Sequence, residues 1–354
     1  MERDWHYGED CGGRGEVDSV DYSAEKLLIG KKAIVFYPDF FGYGDKIIRQ
    51  MKIMGIQATL YNSRAVKSAV GKAMFKVFPE IVIKMSENYF DKILKENRNE
   101  KLDYILVIER LPIKFLKTIK KEHPNAKLIL YMDDSIKNLK GIERRFKYFD
   151  KILSFDREDS KKYKKIQFRP LFYSVEAASQ KKNYKYDLCF IGTSHSDRYF
   201  ITKQIRKQCT EGKFYCYLYL QSEFMFWLYK ITKRTFRHAL KQEFSFKKMD
   251  YKKNIEIEDT SKVILDIQHP AQTGLTMRTI EMIGLKKKII TTNQDIVHYD
   301  FYRPENIQVI DRKNAIIDKT FFDKEYVEIS RSIYEKYSIR NWVLEILGDN
   351  NAEI

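Results

Sequence analysis

From Lys31 onward, short apolar runs alternate with amphipathic stretches, the spacing of βα units that feed a parallel sheet. Residues 32–37 (Lys-Ala-Ile-Val-Phe-Tyr) predict a first buried strand, 38–44 a turn, and 45–54 a helix stopped by Gly55. Further strands are expected at 56–61, 104–109, 127–131 and 150–155, with a Lys-rich helical region after the second and a helix over 112–122 opened by Pro112. Residues 174–185 are polar and aperiodic and read as a linker. A second series follows: strands at 186–191, 214–220, 263–267, 288–292 and 307–310, helices from about 197 and over 276–283, and a helical stretch over 326–347. This layout predicts an α/β chain of two Rossmann-like domains facing a cleft. The expected divisions are a disordered acidic tail (1–30), a first domain (31–174), a second domain (183–325) and a C-terminal helix (326–354).

Charge narrows the partners. The 354-residue chain carries +16, yet residues 1–30 hold eight acids and three bases, so the rest carries +21. Such a surplus favours an anionic partner: nucleic acid, an acidic membrane surface or a phosphorylated small molecule. Four cysteines without a CxxC pair predict reduced thiols and a cytoplasmic protein. The acidic start is unlike a secretory signal, and no run of 18 apolar residues is present to span a membrane. Residues 224–238 place Phe224, Phe226 and Trp227 beside Lys230, Lys233, Arg234 and Arg237. That composition fits either a helix at the inner face of an anionic membrane or a core helix with a solvated basic face.

In open α/β sheets ligands sit beyond the carboxyl ends of the strands. After the strand ending at Ile267 come His269, Gly274, Leu275 and Thr276, then a helix carrying Arg278 and Glu281. A Gly before a helix start lets a phosphate approach the free N–H groups there. Arg278 could neutralise a diphosphate and Glu281 accept a ribose hydroxyl; equally, the two could form an i,i+3 ion pair. His269 could serve as a base or bond a loop carbonyl. Thr193, Ser194 and His195 occupy the turn after the first strand of the second half, where they could bind phosphate or merely precede a helix capped by Ser196. Asp133 and Asp134 end a strand of the first half; Asp134 is the candidate for the base that takes an acceptor's proton, the other reading being that one of the pair caps the next helix, and their opposite directions make joint metal chelation awkward. No Walker A, GxGxxG, HExxH or GxSxG pattern appears, so NTPase, dehydrogenase, metalloprotease and α/β-hydrolase readings lose their usual anchors.

The run Asp266-Ile-Gln-His-Pro-Ala-Gln-Thr-Gly-Leu-Thr-Met-Arg-Thr-Ile-Glu281, with 286–293 and 299–302, resembles the donor-site region of bacterial lipopolysaccharide and capsule glycosyltransferases of the CgeB-like and group 1 type. Segments 131–135, 149–156 and 169–173 resemble the same group, so the likeness covers most of 31–312. It implies the GT-B fold, a nucleoside diphosphate sugar donor on the second domain, a glycan or lipid-linked acceptor on the first, and no obligatory metal. It also implies that Glu281 binds the donor ribose. Where that group carries a second Glu near the transferred sugar, this chain has Thr273. The alternative from charge alone is a non-catalytic nucleic-acid-binding protein, for which the bases are too scattered.

Overall fold

The computed structural model describes residues 25–38, 42–65, 79–175, 183–209 and 213–348. The first sheet is wholly parallel, in the order β2-β1-β3-β4-β5-β6, built from β1 (Lys32–Tyr37), β2 (Gln57–Asn62), β3 (Tyr104–Ile108), β4 (Lys127–Met132), β5 (Lys151–Ser154) and β6 (Ile166–Phe168). Its helices are α1 (Tyr43–Ile53), α2 (Pro79–Asn97), α3 (Ile113–Glu122) and α4 (Arg157–Lys162). The central strands are apolar on both faces because helices cover both sides of the sheet.

The second sheet is also parallel, in the order β12-β11-β10-β7-β8-β9. It comprises β7 (Tyr186–Thr193), β8 (Phe214–Tyr219), β9 (Phe244–Ser245), β10 (Ser261–Asp266), β11 (Lys288–Thr291) and β12 (Ile307–Val309). Around it lie α5 (Arg198–Arg206), α6 (Glu223–Thr232), α7 (Tyr251–Asp259) and α8 (Met277–Gly284).

The chain then returns to the first half as α9 (Arg331–Lys336) and α10 (Ile339–Leu347). A single helix over 326–347 is therefore corrected to two. Ser338 accepts a bond from Asn341 N to cap α10, and the backbone here pairs with Tyr173 instead of continuing the helix. Trp342 of α10 is fully buried, its ring 4.9 Å from those of Tyr131 and Phe172. Arg169, also buried, bonds Lys336 O and pairs with Glu345 at 2.6 Å. The expected tail boundary also moves. Leu28 is buried in the core and Glu25 pairs with Arg340, so 25–30 belong to the fold, while 1–24 lie outside the described residues.

Candidate functional site

A cavity of about 280 Å³ lies between the two halves. The first half supplies the carboxyl ends of three strands, at Tyr37, Ile108 and Tyr131 with Asp133, together with Tyr43 and Ile47 of α1. From the second half come Glu258 of α7, the loop residue Gln272, and Thr276, Arg278 and Glu281 at the start and on the inner face of α8.

The helix α8 starts where it does because Thr276 caps it, its Oγ1 accepting a bond from Thr279 N at 3.2 Å. The same hydroxyl donates to Asp266 Oδ1 at 2.9 Å, and Thr279 Oγ1 donates to Asp266 Oδ2 at 2.9 Å. Asp266, at the end of β10 and fully buried, thus fixes the helix start against the sheet. Arg278 donates to Glu258 Oε1 at 3.1 Å and to the carbonyl of Ile191, with Asp266 3.9 Å away. Burial lifts the Glu258 carboxyl to about 7 against the pull of Arg278. The alternative i,i+3 pair with Glu281 is not among these contacts: Arg278 turns to α7 and β7.

Glu281 faces the other way, across the boundary between halves. It accepts from Ser174 N at 3.2 Å, Ser174 Oγ at 2.9 Å and Tyr251 Oη at 3.1 Å, with Lys46 Nζ at 3.9 Å. Burial raises its carboxyl above the ordinary range, and Lys46 and these bonds oppose the shift. Lys46 also lies over the Tyr251 ring at 3.8 Å. Glu281 therefore lines the cavity while tying the linker to α7 and α8.

Gly274 and Leu275 are buried rather than open to a phosphate. Gly274 N donates to Asp156 Oδ2 at 3.3 Å and Thr273 Oγ1 to Asp156 Oδ1 at 2.7 Å, so the glycine loop rests on the first half. The glycine is needed because an added Cβ would stand 2.5 Å from Phe155.

The turn after β7 meets His269 of the loop after β10, but Thr193, Ser194, His195 and His269 are not among the residues that line the cavity. The His195 and His269 rings are 5.5 Å apart. His195 is pushed down to about 4, first by burial and then by Arg198, His269 and Lys233, so it is a neutral imidazole at neutral pH. His269 is exposed, and its Nδ1 accepts from Ala271 N at 3.2 Å. Ser194 is buried and its Oγ has no partner among the described residues. Ser196 is not the helix cap: Asp197 holds that position without a side-chain bond, and Ser196 itself adopts φ 52°. Beside this turn stand two arginines that the sequence reading did not single out. Arg198 bonds Ile267 O at 2.7 Å and Thr193 O at 3.2 Å; burial, then Arg278 and Arg312, push it down to about 10. Arg312 reaches Asp197 at 2.7 Å and Gln268 O at 2.9 Å. Their signal was present in position alone, since each closely follows a strand of the second sheet.

Across the cavity from Arg278 and Glu281, the two aspartates diverge. Asp134 Oδ1 accepts from Ser135 N and Asn138 Nδ2, both at 2.8 Å, and so closes the turn after β4. The carboxylate that reaches the cavity is Asp133, not the Asp134 favoured above as the base. Burial, then Glu109 and Asp134, raise Asp133 to about 7. Its Oδ1 is shut from solvent without a partner among the described residues. Glu109, also missed, directly follows β3 with φ 72°, a strained conformation for a side chain of this size, and Arg64 Nη2 holds both its oxygens at 2.9 and 2.7 Å.

Two parallel sheets, with strand ends and strand-following loops meeting at a shared cavity, define the GT-B fold. No family model and no curated protein sequence matches the chain. Solved structures do share its fold. A glycosyltransferase from Rickettsia africae aligns at TM-score 0.54 and 13% identity over 89% of this chain and 96% of that one. HepE of Anabaena, in complex with UDP and glucose, aligns at 0.54 and 10% identity over 90% and 99%. The N-terminal domain of Candida albicans trehalose-6-phosphate phosphatase aligns at 0.55 and 9% identity over 96% and 98%. At these identities the likeness speaks for the fold alone.

Proposed function

We propose that this chain is a glycosyltransferase that moves a sugar from a nucleoside diphosphate sugar, held by the second half, to a glycan or lipid-linked hydroxyl over the first, without an obligatory metal. The observation that carries the reading is the division of the site. A raised, desolvated carboxyl, Asp133, stands on one wall of the cavity, and a guanidinium, Arg278, stands on the other at the start of α8. In transfer the acceptor oxygen attacks the anomeric carbon, the bond to the diphosphate breaks, and the hydroxyl proton leaves. Asp133, near 7, is matched to take that proton at neutral pH. The diphosphate leaves with its negative charge, and Arg278, the start of α8, Arg198 and the turn Thr193–Ser194–His195 are the groups to stabilise it. A ribose role for Glu281 requires the donor to share or displace Ser174 and Tyr251, so donor entry would loosen the contact between halves. HepE, solved with UDP and glucose in the same fold, supports a uridine nucleotide as the first donor to test.

The nucleic-acid alternative is not favoured, because the arginines at this site point inward to carbonyls and carboxylates rather than forming an exposed stripe. The test is a screen of UDP-, GDP-, ADP- and CMP-sugars by thermal stabilisation, followed by transfer assays. One nucleotide class should raise the midpoint by several degrees, and Arg278→Gln should abolish the shift. If no nucleotide sugar stabilises the protein, the proposed donor fails, and if transfer is found but Asp133→Asn leaves its turnover unchanged, the proposed base fails.

A further inference from the structure

Helix α6 is anchored through one side only. Phe226 is buried, stacked among Phe236 and Phe244, and Ser222 caps the helix start. On the outer side Phe224, Trp227, Leu228 and Ile231 are 73%, 53%, 38% and 82% exposed. Their spacing of three and four residues puts all four within a single stripe about 100° wide, and Leu240, just beyond the helix, is 54% exposed as well. A stripe of this kind left facing water is costly unless something covers it.

The surrounding charge indicates what that is. Residues 222–248 contain seven Lys and Arg and two acids. Both acids are already engaged: Glu223 pairs with Lys241 at 2.7 Å, and Glu243 accepts from Tyr199 Oη and Leu240 N at 2.7 Å each. Arg234 and Arg237 are exposed and make no ion pair among the described residues. An apolar stripe rimmed by uncommitted guanidinium groups is complementary to acyl chains beneath anionic headgroups.

We infer that α6, with Arg234 and Arg237, is a docking surface for an anionic lipid bilayer, the helix lying in the headgroup plane with Phe224, Trp227, Leu228 and Ile231 inserted. No helix of the described residues is long and apolar enough to cross a membrane, so attachment through this face is peripheral. The surface adjoins the helix that follows the turn after β7, the Phe236 ring lying 4.9 Å from that of Tyr199 on α5. Docking would therefore hold the second half's ligand loops close to the bilayer. The inference is independent of the proposed activity, because vesicle binding requires no donor.

The test is co-sedimentation of the full chain with phosphatidylcholine vesicles, with and without phosphatidylglycerol. With each base near an anionic surface contributing about 1 kcal/mol, or roughly fivefold, the anionic vesicles should bind at least about tenfold more tightly, and high salt should reverse the gain. The double variant Trp227→Glu with Ile231→Glu should lose binding to both vesicle types. Arg234→Glu with Arg237→Glu should lose only the anionic preference. All four side chains are exposed, so the thermal midpoint should be unchanged and serves as the folding control. Absence of binding to anionic vesicles overturns the inference. So does self-association in sedimentation velocity that Trp227→Glu with Ile231→Glu abolishes, which would assign the stripe to a second copy of this chain.

Discussion

At Gly274 an added methyl carbon would lie 2.5 Å from Phe155 Cε2 and 2.8 Å from Cδ2 and Cζ. Both residues are buried, so neither the ring nor the loop has free space into which to retreat. Gly274→Ala is expected to cost about 1–3 kcal/mol in equilibrium unfolding, and Phe155→Leu should restore part of the loss. Asp133 gives a prediction of a different kind. Its carboxyl is raised in the folded state, so the folded chain binds a proton that the unfolded chain has released. Stability contributed by that proton is present below the ordinary carboxyl range and is lost as pH rises toward 7, by at most about 1.4 kcal/mol per pH unit. Glu258, also near 7, adds to the same slope. Urea unfolding at pH 5 and pH 8 should show a smaller difference for Asp133→Asn than for the parent. Transfer by the parent should rise with pH and level off near 7, while the Asn variant should fall about 10²–10⁴-fold and lose that rise.

Among the elements, the joint between β10 and α8 concentrates the site's architecture. Thr276 serves as helix cap and as donor to the fully buried Asp266, so Thr276→Ala removes two bonds at once. A loss of about 1–3 kcal/mol is expected by calorimetry, while Thr276→Ser, which keeps the hydroxyl, should lose less than half of that. This joint was legible in the sequence because cap, helix and strand are consecutive, and the strand-ending positions were what directed attention to the loops after β7 and β10. Where reading failed, distance along the chain explains it. Glu281 finds its partners Ser174 and Tyr251 at separations of 107 and 30 residues, which no local spacing reveals. The same holds for Asp156, whose contact with Thr273 spans 117 residues. Strands β6 and β9, three and two residues long, carry too little periodicity to register. Of the adjacent pair Asp133 and Asp134, alternation along a strand foretold opposite directions but not which one faced the cavity.

Over the whole molecule a single apolar cluster runs through both halves, joining Ile47 and Phe155 of the first to Leu275 and Ile280 of the second and to Trp342 and Ile346 of α10. Two parallel sheets were readable from the alternation of strands and helices, but the return of α10 to the first sheet was not, since an amphipathic helix does not state which face it will cover. Trp342→Ala should cost about 3–5 kcal/mol, and because the cluster is shared, probes placed in either half should report the same transition. Isolated residues 25–175 should accordingly show lost near-ultraviolet dichroism. The crossover of α10 also has a temporal meaning. The first sheet emerges from the ribosome well before the helix that seals it, and at about 5–20 residues per second the intervening chain takes on the order of ten seconds to make. During translation the apolar slot beside Tyr131 and Phe172 stands open, so this nascent chain should engage holding chaperones after its first half appears and release them only once Trp342 has cleared the exit tunnel.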